Sequence, residues 1–186
     1  MSRWDELFAD LEARADAIEH AERAAEVDER ARIELAGLNL RDRLRPALGT
    51  KVRVRCLAGL TITGALRRVG AGWLLIDEGV GRESVLHEPG VLAISGLSRL
   101  VSAPAEASPV ESGLGLGSVL RGIARDRSGL RLWLTDGHTL TGTVDRVGRD
   151  FLELAVHAVG EARRRDAVRE VQVIAFAALV AVQRES

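Results

Sequence analysis

Two stretches of this 186-residue chain repeat one another at a constant offset, and that duplication restricts the fold more than any other feature. Residues 52–76 read VRVRCLAGLTITGALRRVGAGWLLI, and residues 130–154 read LRLWLTDGHTLTGTVDRVGRDFLEL, an offset of 78. Nine of these 25 positions are identical: Arg53/Arg131, Gly59/Gly137, Thr61/Thr139, Thr63/Thr141, Gly64/Gly142, Arg68/Arg146, Val69/Val147, Gly70/Gly148 and Leu74/Leu152. Residues 86–95 match 174–183 at an offset of 88, so the second copy holds ten extra residues around Arg163-Arg164-Arg165. A match of this length, turn glycines included, means one structural unit used twice.

Each copy reads as β. Val52, Val54 and Cys56 alternate with Arg53 and Arg55, and Leu130, Leu132 and Leu134 alternate with Arg131, Trp133 and Thr135. A period of two gives a strand with one buried face. Asp136-Gly137 supplies a hairpin turn, because glycine tolerates positive φ. Gly142, and Gly64 in the first copy, stand inside the next strand, where glycine predicts a sharp bend or a close backbone approach. A third strand begins at Phe151, and a final pair covers 84–87 and 92–97 in copy one, 170–175 and 179–183 in copy two. Five short strands make a small barrel near the lower limit for independent folding.

Short helices are expected before each barrel. Leu40, Leu44 and Leu48 share a helical face before the first, and Leu116, Leu120 and Ile123 before the second. Ser102-Ala103-Pro104 and Ser108-Pro109 have linker composition. Residues 3–36 contain no Gly or Pro and are dense in Ala, Glu and Arg, predicting one long helix. Trp4, Leu7, Phe8 and Leu11 form its apolar stripe, with a heptad seam broken at Arg14 and Asp28. The expected organisation is an acidic helix over 1–37, a barrel over 38–101, a linker over 102–115 and a second barrel over 116–184. The whole chain carries a net charge of −1, but residues 3–36 carry −6 and the remainder +5. The near-neutral total therefore does not exclude a nucleic-acid partner.

The pattern Gly137-x-x-Leu140-x-Gly142-x-Val144-x-x-Val147, followed by Phe151 and Leu154, resembles the first motif of Sm-like proteins. Copy one repeats it at Gly59, Ile62, Gly64, Leu66, Val69 and Trp73. The resemblance spans 40–100 and 116–184 and implies a helix followed by a five-stranded Sm-like (SH3-type) barrel, twice over. The whole chain also resembles a family of uncharacterised actinobacterial proteins of this layout, sometimes labelled Fis family transcriptional regulators. A helix-turn-helix packs a small residue four before its turn glycine, and Ile33 holds that place before Gly37. Sm proteins that bind uridine carry an Asp and an Asn where this chain has Gly148 and Leu152, and Gly70 and Leu74. The second Sm motif, with its Arg-Gly pair, is replaced by Phe176-Ala177-Ala178-Leu179. The resemblance thus implies the fold without the uridine pocket.

No catalytic constellation is legible. His20, His87, His138 and His157 fall in no metal-ligand spacing, and a lone Cys56 on a buried face reads as core, so no metal or cofactor is expected. Gly113-Leu114-Gly115-Leu116-Gly117-Ser118 lacks the spacing and the preceding strand of a phosphate loop and reads as flexible linker. The carboxylates Asp77-Glu78, Asp145 and Asp150 fall at strand ends and turns and read as solvated turn residues. The basic candidates for phosphate contact are Arg163, Arg164, Arg165 and Arg169 in the insertion, with Arg67, Arg68, Arg146 and Arg149 in the barrels. Only 3% of residues are aromatic, few for a protein that stacks bases. Trp133 occupies the outward phase of its strand, where a Trp usually lies beneath a partner. The candidate protein interface is therefore Trp4, Leu7, Phe8, Leu11 and Trp133.

The expectation is a non-enzymatic scaffold or interaction module that binds a protein partner or itself as a homo-oligomer, alternatively a nucleic-acid-binding regulator. An acidic start (Asp5, Glu6) and a longest apolar run of ten residues, 173–182, predict a cytoplasmic chain with no membrane role.

Overall fold

The computed structural model describes residues 3–98, 114–157 and 170–184. The chain separates into two compact units, Met1–Asn39 and Leu40–Ser186.

The first unit is the helix α1, Arg3–Ala36. Its described side chains, Trp4 and Leu11 among them, are all exposed. The side chains of Leu7 and Phe8 lie outside what is described. Arg23 pairs with Glu19, Arg30 with Glu26 at 3.6 Å and Arg32 with Glu29 at 3.5 Å. Such one-turn pairs each add about 0.3–0.5 kcal/mol to an isolated helix. Among the described residues, no helix is long and apolar enough to cross a membrane.

The second unit is mainly β. Copy one supplies α2 (Leu40–Leu44), β1 (Lys51–Cys56), β2 (Thr61–Gly70), β3 (Trp73–Gly79), β4 (Arg82–His87) and β5 (Val91–Ser95). Copy two supplies α3 (Leu116–Asp126), β6 (Leu130–Leu134), β7 (Thr139–Val147), β8 (Phe151–Val156), β9 (Glu170–Ala175) and β10 (Leu179–Arg184). The ten strands form one antiparallel sheet in the order β5-β1-β2-β3-β4-β10-β6-β7-β8-β9. Within each copy the order is the same, fifth strand, first, second, third, fourth. The copies meet where β4 pairs with β10, and among the described residues the sheet stays open, ending at β5 and β9.

Local sequence accounts for these elements. β1 alternates exposed arginines with buried Val52, Val54 and Cys56. Gly137, at φ +90°, closes the β6–β7 hairpin, and the Asp136 carboxylate accepts a hydrogen bond from the His138 amide at 2.9 Å. The strand glycines answer a close approach. A Cβ on Gly64 would stand 2.2 Å from the Asp77 carbonyl oxygen, and one on Gly142 would stand 2.2 Å from that of Ala155. The local irregularity falls next door, in bulges at Leu66/Arg68 and Val144/Arg146, at matching places in the two copies.

Two expectations are corrected here. Leu40, Leu44 and Leu48 do not share one buried face. Helix α2 ends at Leu44 and the chain tightens into a 3-10 turn over Arg45–Ala47. Pro46 cannot supply the backbone N–H that a continuing helix needs. Leu44 is buried, whereas Leu48 is 46% exposed. The glycine-rich stretch 113–118 is not flexible linker at its far end. Gly115 caps α3, Gly117 and Ser118 lie inside the helix, and Gly115 bridges to Ala71. Leu116 and Leu120 draw this stretch into the core. Residues 102–113 of the expected linker lie outside the described residues.

The core has two centres that exchange side chains. The first gathers Val52, Val54, Ile62, Leu66 and Ile76 of copy one with Val180 and Ala181 of copy two. The second gathers Leu120, Leu132, Val144, Leu152 and Leu154 of copy two with Trp73 and Val85 of copy one. Burying an aliphatic side chain of this size contributes about 1.5–3 kcal/mol. The exchanged residues therefore bind the copies more firmly than the junction's few polar contacts.

Candidate functional site

The junction between the copies is built from β4 and β10. Ala181 faces Leu86, Val182 faces Val85 and Gln183 faces Ser84. The Ser84 hydroxyl donates to a Glu78 carboxylate oxygen at 2.5 Å, and the Gln183 amide donates to the same oxygen at 2.8 Å. His87 Nδ1 lies 3.3 Å from the Leu179 carbonyl oxygen, which can only accept. Trp133, expected to face a partner, is half-buried against the first core, so it lies between the copies. The Arg131 guanidinium stands 5.9 Å from its ring centre.

Beside the junction opens a groove of about 740 Å3. Its apolar wall includes Val69, Trp73, Leu75, Val85 and Val119. Trp73 is 6% exposed, and its indole N–H donates to the Leu114 carbonyl at 2.7 Å. The ring stands over Gly70, where a Cβ would come within 2.1 Å of the indole. Phe151 covers Gly148 in the same way, with a Cβ 2.3 Å from its ring. Arg45, Arg67, Arg68, Asp77 and Glu83 supply the charge of the groove. Arg67 reaches Asp77 Oδ2 at 2.6 and 3.0 Å. That pairing, with the Gly79 amide, holds the Asp77 carboxyl below its ordinary value.

Of the sequence-predicted basic residues, the groove brings together Arg67 and Arg68. Arg146 and Arg149 occupy the equivalent part of copy two, where Arg146 lies 3.7 Å from Glu153. Arg163, Arg164, Arg165 and Arg169 lie outside the described residues. Asp77 and Glu78 lie at the end of β3, as a strand end was expected, but they are not solvated turn residues: both accept hydrogen bonds from neighbouring side chains. Asp145 is corrected too, since it lies inside β7. The groove chemistry is not duplicated. At the offsets of the repeat, Arg67, Asp77 and Glu83 correspond to Asp145, Ala155 and Val171.

The other candidate surfaces are the sheet ends. Leu92 on β5 is 56% exposed, and on β9 Val171 and Val173 are 53% and 68% exposed. The sequence reading did not single out these three. Their signal was available in two strands with a single charge between them, Glu170. Burial pushes the Cys56 thiol up to about 11. His157 is buried with Nε2 2.9 Å from the Thr143 hydroxyl, and His138 pairs with Asp136 at 3.2 Å on the surface.

Comparison of the chain with protein-family models found no match, and a search of curated proteins found none either.

Proposed function

We propose that the protein is a non-enzymatic interaction scaffold of two duplicated Sm-like (SH3-type) barrels, acting in the cytoplasm, whose open strand edges bind protein. One observation carries the reading: Leu92, Val171 and Val173 stand exposed on strands that, among the described residues, have no strand beside their outer backbone groups. Soluble proteins usually blunt such edges with charge, proline or a cover, and an apolar edge is a template for another strand. The single, buried thiol fits a reducing compartment.

The test is purification of the full chain from its native cell, wild type beside a Leu92→Lys/Val173→Lys double variant, scored for bound protein and RNA together. The scaffold reading expects protein, whether self or another chain, in fixed stoichiometry with the wild type and lost from the variant at unchanged melting temperature. An identical complement in both samples overturns it. The alternative is a nucleic-acid-binding regulator, supported by the gathering of Arg45, Arg67 and Arg68 on one groove. It expects salt-sensitive RNA or DNA binding that survives the edge variant and is lost from Arg67→Ala/Arg68→Ala.

A further inference from the structure

Position-by-position comparison of the two copies singles out one arginine. Bulges at matching places leave Arg67 in β2 and Asp145 in β7 without a facing residue, so Arg68 faces Leu75 and Arg146 faces Glu153. In copy two the facing residue is a carboxylate, and Arg146 lies 3.7 Å from it. In copy one the same place holds Leu75, and no carboxylate among the described residues pairs with Arg68. An apolar side chain thus stands where the repeat has the counter-charge. We infer that the groove beside the junction binds a small amphipathic monoanion, an aliphatic carboxylate, with its head on Arg68 and its chain along the apolar wall. The inference is independent of the strand-edge reading, because neither Leu92, Val171 nor Val173 lines the groove.

Size, charge and rigidity of the groove select that ligand. Its volume of about 740 Å3 falls in the range of sites that hold one small molecule, roughly 300–1,000 Å3. A neighbouring cavity of about 180 Å3 shares Leu75, Val85 and Val119 with it and extends the apolar wall to Ile123. Val119 and Ile123 are one turn apart on α3, so they share a face, and both are half-buried.

Arg45, Arg67 and Arg68 against Asp77 and Glu83 leave the groove with one positive charge. Arg67 is held by Asp77 at 2.6 Å, and in the smaller cavity Arg184 is held by Asp126 at 3.2 Å. Arg68 offers a planar fork that takes a carboxylate through two parallel N–H···O bonds. One negative charge balances the groove. A nucleic-acid strand would bring further phosphates against Asp77 and Glu83.

The wall is in place before a ligand arrives. Trp73 is fixed by its hydrogen bond to the Leu114 carbonyl and by its seat on Gly70. Binding therefore need not order that ring, which lowers its entropic cost.

The test titrates the full chain with octanoate, octanol and inorganic phosphate, followed in proton–nitrogen NMR spectra. The variants are Arg68→Ala, Arg146→Ala and Leu75→Glu. Octanoate is expected to shift the Trp73 indole and the amides of Val69, Leu75, Val85 and Val119. Arg68→Ala, at an exposed position, is expected to weaken octanoate binding about tenfold or more. Arg146→Ala is expected to leave it unchanged. Leu75→Glu rebuilds the facing pair of copy two and is expected to abolish binding. Its melting temperature verifies that it folds, and Arg68→Ala decides the question if it does not. Octanol has the chain without the charge and phosphate the charge without the chain, so each is expected to bind more weakly than octanoate. Unmoved groove resonances, equal octanoate affinity in wild type and Arg68→Ala, or an equal loss in Arg146→Ala overturns the inference. So does octanol or phosphate that binds as well as octanoate; the phosphate result would favour the nucleic-acid reading of the same arginines.

Discussion

Trp73 and Gly70 offer the sharpest test of how the two copies are joined. Trp73 belongs to copy one by sequence and to the second core by packing, beside Val85, Leu120 and Leu132. It is nearly fully buried and donates to Leu114 at 2.7 Å. Trp73→Ala removes the ring and leaves a cavity, which costs about 3–5 kcal/mol. Trp73→Phe keeps most of the packing and removes the hydrogen bond, so the expected loss is nearer 1–2 kcal/mol. Gly70→Ala adds only a methyl group, but places it within 2.1 Å of the indole, and the ring must shift. Overpacking of this kind costs about 1–3 kcal/mol. Gly70 does not have a positive φ, so the substitution carries no backbone penalty of its own. The double-mutant cycle is therefore decisive. In urea unfolding, Gly70→Ala destabilises the wild type but is close to neutral in the Trp73→Ala background, a coupling of about 1–3 kcal/mol. Equal Gly70→Ala penalties in both backgrounds would refute the reasoning, as would a Trp73→Ala loss below about 1 kcal/mol.

Three shorter predictions probe other parts of the account. Gly122→Ala in α3 meets nothing within 4 Å and should raise stability by up to about 1 kcal/mol, whereas Gly142→Ala, facing the Ala155 carbonyl at 2.2 Å, should lower it by more than that; urea midpoints distinguish the signs. Cys56 should resist a thiol reagent in the native state and react fully in denaturant; its raised folded value also means that stability declines as pH climbs from about 9 toward 11, read from melting temperatures of wild type against Cys56→Ala. The Asp77 carboxyl should titrate below the ordinary Asp range by NMR and move upward in Arg67→Ala; since the folded value is depressed, the contribution of the pair is present at neutral pH and lost as pH falls through that value.

Much of the fold was legible because the repeat constrains each copy by the other. The alternation in 52–56 and 130–134, the Asp136-Gly137 turn and the strand over 170–175 all fall where the pattern placed them. Gly64 and Gly142 were legible as special, but only the distance to the facing carbonyl decides between bend and close approach. The limits came from contacts distant in sequence. Apolar periodicity marks Val180 and Val85 as buried without saying that each is buried in the other copy's core. Glu78 looked like a turn carboxylate because its partners, Ser84 and Gln183, are six and 105 residues away. Leu92 was not legible as special, because its exposure goes with a bulge that only the pairing of β1 and β5 reveals. The groove arginines Arg67 and Arg68 were found from charge alone, but their company of Arg45, Asp77 and Glu83 depends on the fold.

Backbone hydrogen exchange tests the scaffold reading most directly, since an edge strand covered by a bound protein acquires partners for its outward amides. In the wild type purified from its native cell with its bound protein, residues 91–95 and 170–175 are expected to exchange more slowly than in the Leu92→Lys/Val173→Lys variant, while β4 and β10 exchange alike in both. Equal exchange of both edges in the two samples would contradict the reading.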